Sequence, residues 1–332
     1  MLKYFVKRMI GCIVMIWIMS VVSFGIITAA PGDYVSNYIA VMMAAGRMVE
    51  QAEIDQLIMR HGLDQPVHIQ YVTWITGIIT RGDFGRSFSW NRPVADILME
   101  RLPLTLGIII ATIVVTWLVS VPIAVYSARN KYTPLDYLFN VLGFIGLSVP
   151  PFLLAMVTVY FLFNWFGFAI TGLFSPGFDV APWSFARVMN MLSRIWLPIL
   201  ILGANGMAAL IRTIRANLLD ELPKQYVTTA RAKGLGEWKL LVRYPIRVAI
   251  NPAISTIGWM LPAVFSAEVL TSMVLNLETI GPVFIQSVRA SDVYLAASVL
   301  LVLAAITIFG TVVSDVLLAA LDPRIRLGGA KK

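Results

Sequence analysis

Six apolar segments, each long enough to cross a lipid bilayer, constrain this chain more than any other feature. They cover roughly residues 9–29, 104–127, 135–165, 195–217, 248–273 and 293–320. A helix of about 20 apolar residues crosses the hydrocarbon core, and it satisfies its backbone hydrogen bonds internally. The third segment is interrupted by Pro150-Pro151, so its helix ends are poorly defined. We predict an all-α membrane protein with six transmembrane helices.

The composition agrees with this class. The chain of 332 residues is 58% hydrophobic and 13% charged, whereas about 25% of the residues of a soluble domain are charged. The net charge of +8 favours cytoplasmic loops beside anionic lipid over nucleic-acid binding. Cys12 is the only cysteine, which excludes an intrachain disulfide. The two histidines have no ligand cluster around them, which argues against a structural zinc site.

The first segment has the basic start and apolar run of a secretory signal. The run over residues 10–27 is longer than the 7–15 residues of a signal peptide and is long enough to span. Pro31 directly follows the small residues at which cleavage would occur. We therefore expect an uncleaved first helix.

The connections between the segments carry unequal charge. Seventeen Lys and Arg residues fall in the termini and connections on one side, against three in the short connections on the other. Because basic residues accumulate in cytoplasmic loops, both termini are predicted to be cytoplasmic.

The longest external connection, residues 30–102, predicts a small cap. Residues 47–63 have the spacing of a surface helix that ends at Gly62, and residues 81–93 are typical of a loop. Residues 66–79 are too short to span and suit an interfacial helix, with apolar and aromatic side chains at helical spacing (Tyr71, Trp74, Ile75 and Ile78).

A basic segment, "LPKQYVTTARAKGLGEWKLLVRYP", separates the fourth and fifth spans. It predicts a short helix over Pro223–Lys233, a left-handed cap at Gly234 followed by the apolar Leu235, and a second helix over Glu237–Arg243. Small residues (Thr228, Thr229, Ala230 and Ala232) would permit close approach of another protein. The alternative is a basic helix that lies on anionic lipid.

A few residues within the spans have two interpretations. Asp315 either pairs with Arg212 or Arg215 or lies near the cytoplasmic interface, and Glu268 either lines a pathway or is structural. Pro150-Pro151 and residues 203–206 are either hinges or sites of close helix packing. No phosphate-binding loop of the type G-x-x-x-x-G-K-[ST] occurs in the sequence, so we expect no ATP hydrolysis by this chain.

Residues 226–235 of the basic segment, "YVTTARAKGL", resemble the cytoplasmic EAA loop of permease subunits in ATP-driven, binding-protein-dependent (ABC) importers. More narrowly, the chain resembles the dipeptide/oligopeptide permease family, as the first permease of the pair. The similarity extends over nearly the whole chain, through "APGD" (30–33), "HGLDQPVHIQY" (61–71), "RGDFGRS" (81–87), "RPVADILMERLPLTLGI" (92–108), "GLSVPPF" (146–152) and "LDPRIRL" (321–327).

The resemblance implies the type I ABC importer transmembrane fold, in four parts. These are a first helix (1–30), an external cap (31–102), a core (103–322) that contains a cytoplasmic coupling loop (218–247), and a cytoplasmic tail (323–332). It assigns contact with an ATPase subunit to the residues of the coupling motif: Tyr226, Thr229, Ala230, Arg231, Lys233, Gly234 and Leu235.

The same resemblance implies the partners and the location. They are a second, homologous permease, two ATP-binding cassette ATPase subunits, an extracytoplasmic solute-binding protein and the lipid of a bacterial inner membrane, with no nucleic acid. This chain would bind no cofactor, because ATP and Mg would be bound by the ATPase subunits. It would be a transport subunit and not an enzyme.

Two departures from the family pattern affect the expected substrate. Thr228 stands where other importer classes have a glutamate, and Ser272 and Glu278 replace a glutamate and a proline after the fifth span. Oligopeptides are the expected solutes, with oligosaccharides as the alternative. A secondary transporter is the rival from another class, but it would need coupling carboxylates near the midplane and an inverted repeat, which are not evident. A membrane anchor for a signalling complex is a further rival.

Overall fold

The computed structural model describes the backbone of residues 2–29, 34–61, 64–167, 171–179, 181–182 and 184–321. Over these ranges the chain is helical, apart from turns, loops and one isolated bridge between Arg86 and Pro93. The helices are α1 (Leu2–Ala29), α2 (Tyr34–Ala44), α3 (Gln51–His61), α4 (Val67–Arg81), α5 (Val94–Arg129), α6 (Pro134–Ser148), α7 (Pro151–Phe166), α8 (Phe185–Glu221), α9 (Gln225–Ala232), α10 (Glu237–Arg243), α11 (Pro245–Ile254), α12 (Ile257–Leu275), α13 (Ile280–Arg289) and α14 (Val293–Leu321).

Five described helices, α1, α5, α8, α12 and α14, are long and apolar enough to cross a membrane. The predicted third span is a pair of helices, α6 and α7, bent by 112° at the proline pair. Val149 is extended (φ −98°, ψ 122°) because the ring of Pro150 disfavours a helical residue before it, and Pro151 then starts α7. If this pair counts as one span, the prediction of six spans is confirmed.

The predicted ends of two other spans are wrong. The fifth span was expected over residues 248–273, but α11 ends at Ile254 and α12 starts only at Ile257. The hydroxyl of Thr256 donates to the carbonyl of Ala253 (2.6 Å), a local bond that competes with a continuous helix. The fourth span was expected from residue 195, but α8 already starts at Phe185.

The prolines of the spans occupy two kinds of position. Pro134 occupies the first turn of α6, where a missing backbone N–H costs little. Pro103, Pro198 and Pro252 instead lie inside α5, α8 and α11. Packing of the surrounding helices therefore outweighs the loss of one backbone hydrogen bond at each of these positions.

The described helices divide between two compact units. The first is built from residues 1–105 and 278–308. Its core joins α1, α4 and the start of α14 through Phe24, Trp74, Ala297 and Leu301. The aromatic and apolar residues predicted along α4 pack on this core, so α3 and α4 confirm the two helices expected in the external loop. Gly62, the predicted end of the first of them, lies outside the described residues.

Hydrogen bonds to Asp292 hold the 82–93 loop against the start of α14 in the same unit. This fully buried carboxylate accepts hydrogen bonds from the hydroxyl of Ser87 (2.6 Å) and from the amide and hydroxyl of Ser89 (3.0 and 2.8 Å). Its other oxygen accepts from the amide of Leu295 (3.3 Å) and so caps α14. The loop is thereby held against the helix start by three hydrogen bonds to one carboxylate, whose other oxygen caps α14.

The second unit is built from the described residues within 106–277 and 309–321. In it α8 packs against α6, α7, α11 and α12, and two buried clusters join α5, α8 and α11. A Cβ atom on Gly203 would lie 2.9 Å from the hydroxyl of Thr116, and one on Gly146 would lie 3.0 Å from the carbonyl of Ala204. The glycines of α8 and its neighbour α6 thus allow close packing, and α8 is unbroken at residues 203–206.

Candidate functional site

The basic segment forms two short helices, α9 and α10, joined by a glycine cap. Pro223 and the extended Lys224 precede α9, and Gly234 ends it with a left-handed backbone (φ +78°). The amide of Gly234 donates to the carbonyl of Arg231 (3.0 Å), and the amide of Leu235 donates to that of Ala230 (3.4 Å). This is the Schellman pattern that glycine favours, so the predicted cap is confirmed.

An apolar cluster folds α9 onto α10. Val227, Ala230 and Leu240 are buried in it, and Leu235 and Tyr244 pack against them. Ala230 is only 6% exposed, so its methyl group faces α10 and not the outer surface. This small side chain is used inside the segment, and the close approach of another protein at Ala230 stays a prediction. The other three small residues of α9 (Thr228, Thr229 and Ala232) are exposed as expected.

An ion pair bridges the cap from one helix to the other. The Nε of Arg231 lies 2.6 Å from Oε1 of Glu237, and both side chains are about half exposed. The hydrogen bond from Arg231 lowers the pKa of Glu237, and Glu237 in turn raises the pKa of Arg231. The family resemblance assigned Arg231 to contact with an ATPase subunit, and its pairing with Glu237 was not predicted. The opposite charges of Arg231 and Glu237, which lie on either side of the Gly-Leu-Gly turn at residues 234–236, were the sequence signal from which this ion pair could have been predicted.

A second polar group fixes α9 to the end of α8. The carboxylate of Glu221 accepts hydrogen bonds from the ammonium of Lys224 and the hydroxyl of Tyr226. Burial raises the pKa of Tyr226, and the neighbouring Glu221 raises it further. Tyr226, predicted as a contact to an ATPase, is therefore bonded within this chain and is 37% exposed. Glu221 was not singled out from the sequence.

The outer surface of α9 and α10 carries the remaining exposed residues. Thr229 and Lys233 are exposed, as is Lys239 on α10. Trp238 is 66% exposed and Val242, one turn later, is 55% exposed. The structure thus brings all seven predicted coupling residues into α9 and its cap, and it adds an exposed aromatic residue on α10 that sequence analysis missed.

The two carboxylates considered within the spans lie apart from this segment. Glu268 is fully buried inside α12, so it does not face the open surface of this chain. Asp315 is half-buried in α14. The guanidinium of Arg215 binds both oxygens of Asp136 (2.9 and 3.1 Å), and the suggested pairing of Asp315 with Arg212 or Arg215 stays a prediction. The Arg215–Asp136 ion pair joins the start of α6 to α8 and was not predicted.

Comparison with known proteins matches almost the whole chain. Residues 120–327 match the family described as the inner membrane component of binding-protein-dependent transport systems, and residues 1–109 match the N-terminal part of such membrane components. Curated relatives align over 98% of this chain and 99–100% of their own length. They include the oligopeptide transport system permease protein AppB of Bacillus subtilis (31% identical), the glutathione transport system permease protein GsiC of Escherichia coli (30%) and the dipeptide transport system permease protein DppB of Lactococcus lactis (28%).

The matched region includes both short helices, the cap between them and the helices that carry them. The chain belongs to the family of inner-membrane permease components of binding-protein-dependent transport systems.

Proposed function

We propose that this permease forms half of the solute pathway of an ATP-driven importer and that a second, homologous permease forms the other half. Two separate ATPase subunits bind ATP and Mg and dock on α9 and α10. An extracytoplasmic binding protein delivers solute to the cap at residues 31–102. Both termini and the α9–α10 segment face the cytoplasm, and residues 103–322 form the core that contains the pathway.

The proposal rests mainly on which side chains of the α9–α10 segment are buried and which are exposed. Val227, Ala230 and Leu240 face inward, while the outer surface of the segment presents lysines and the exposed Trp238 and Val242. Exposed aromatic residues such as Trp238 are enriched in protein-binding surfaces. The segment continues directly from α8 at one end and into α11 at the other.

Such an element transmits displacement because it is stiff. The Gly234 cap, the Arg231–Glu237 ion pair and the buried cluster hold α9 on α10, and Glu221 holds α9 on α8. When the ATPase subunits close on nucleotide, α9 and α10 move together and tilt α8 and α11. ATP then favours one orientation of the spans, and hydrolysis restores the other.

Peptides are the proposed solutes. The relatives named above are described as oligopeptide, dipeptide and glutathione permeases, which supports this class. The binding protein selects among solutes before they reach the permease.

Purification in mild detergent, followed by reconstitution into vesicles, tests the proposal. The permease is expected to co-purify with ATPase subunits and to support peptide uptake only when ATP and binding protein are supplied. Uptake driven by a proton gradient without ATP would show a secondary transporter. An intact complex with no uptake would show an anchor without a pathway.

A further inference from the structure

A stripe of polar and small residues runs along one face of α8 within its membrane-spanning length. Asn205, Ala209, Arg212, Thr213 and Ala216 recur at helical spacing and so share a face. All are exposed except Ala209, which is half-exposed. The opposite face of the same stretch is apolar and buried, through Ile214 and Leu218.

The upper part of this stripe lines a cavity of about 240 Å³ in the second unit. Asn205, Ala209 and Thr213 contribute one wall, and Thr256 and Trp259 contribute another from the α11–α12 region. Arg212 lies seven residues after Asn205, about 10 Å further along the helix axis at 1.5 Å per residue.

Lipid is an unfavourable neighbour for this face. An amide or a guanidinium within a span is costly in hydrocarbon and is tolerated where it meets water or a polar group. The guanidinium of Arg212 stays charged at any physiological pH. The exposed face of α8 therefore requires water or a polar partner.

We infer that this stripe is the solute-contacting wall of the pathway, and that Arg212 binds the terminal carboxylate of a peptide. This inference rests on the proposed function. A planar guanidinium binds a carboxylate through two parallel hydrogen bonds. The amide of Asn205 offers both a donor and an acceptor to the peptide main chain. The small side chains of Ala209 and Ala216 leave room for solute side chains of different sizes. A neutral oligosaccharide has no charged group that could form an ion pair with Arg212.

Uptake by the complete, reconstituted complex tests the role of Arg212 with two probes. These are a tripeptide with a free C-terminus and the same tripeptide with a C-terminal amide. Arg212→Gln is expected to raise the KM for the free acid about tenfold or more, as expected for the loss of a hydrogen bond between charged groups, and to leave the KM for the amide unchanged. Arg212→Lys is expected to recover part of the difference. The matched control, Arg247→Gln, removes an exposed arginine from α11 and should affect neither probe.

An equal effect of Arg212→Gln on the KM values for the two probes would overturn the inference, because the binding protein is the same in both complexes. The proposed function fails separately, if the wild-type complex shows no ATP-dependent uptake.

Cysteine labelling tests the wall independently of transport. In a Cys12→Ser background, Asn205→Cys is expected to react with a water-soluble thiol reagent, and Leu200→Cys, an exposed apolar position on another face of α8, is expected to be protected. Protection of both positions, or equal reaction at both, would overturn the assignment of the stripe to an aqueous pathway.

Discussion

Gly234 offers a sharp test of the α9–α10 segment because its backbone, and not its surroundings, excludes a side chain. Its φ is +78°, and a Cβ atom built on it would meet nothing within 4 Å. The cost of a substitution is therefore the left-handed strain alone, about 1–2 kcal/mol for an L-residue. That free energy corresponds to roughly a 5- to 30-fold change in an equilibrium.

Gly236 is a matched control two residues later. A Cβ atom there also meets nothing within 4 Å, but the backbone has φ −58° and ψ 140°, which any residue adopts. Gly236 is also the N-cap of α10, a position where serine is favoured. Gly234→Ser should therefore destabilise the cap, and Gly236→Ser should leave it intact or strengthen it. Gly234→Asn should have an intermediate effect, because asparagine tolerates the left-handed region.

Hydrogen exchange at the backbone amides of residues 234 and 235 measures the cap directly. We expect exchange to be about 5- to 30-fold faster in Gly234→Ser and not faster in Gly236→Ser. ATP-dependent uptake should fall in the same order, and the β-branched Gly234→Val should uncouple ATP hydrolysis from uptake. Equal exchange and equal uptake in the two serine variants would refute the role of the cap.

Three further substitutions test other contacts. Ala230→Glu places a carboxylate in the buried cluster, at a cost of several kcal/mol, and should speed amide exchange across α9, whereas Ala232→Glu on the exposed side of α9 should not. Tyr226→Phe removes a hydrogen bond to Glu221 worth about 1.5–3 kcal/mol and should speed amide exchange at the start of α9. Because the pKa of Tyr226 is raised, this bond should persist above pH 10 and be lost only as the pH rises further. Asp292→Ala removes an acceptor of four hydrogen bonds and should lower the thermal unfolding temperature of the purified protein, whereas no change would contradict its fastening role.

Local features of the cytoplasmic segment could be predicted from sequence because they depend on nearby residues. The Gly-Leu-Gly turn is compatible with few backbone conformations. The left-handed Gly234 and the bounds of α10 could therefore both be predicted from it. The broken third span followed in the same way from Pro150-Pro151, since two consecutive prolines cannot continue a helix.

Features that depend on distant residues could not be predicted. Asp292 bonds to Ser87 across 205 residues, and Arg215 pairs with Asp136 across 79. No local pattern specifies such partners. The burial of Ala230 was missed for a related reason, because a small residue in a short helix suits an inner packing position as well as an outer contact surface.

Cross-linking from Trp238 measures the central claim most directly. A single cysteine introduced by Trp238→Cys in the Cys12→Ser background can carry a short photo-reactive cross-linker in the assembled importer. We predict a cross-link from position 238 to an ATPase subunit, and no such cross-link from the control variant Leu200→Cys. Cross-links from position 238 to lipid or to permease alone, in a complex that retains its ATPase subunits, would contradict it.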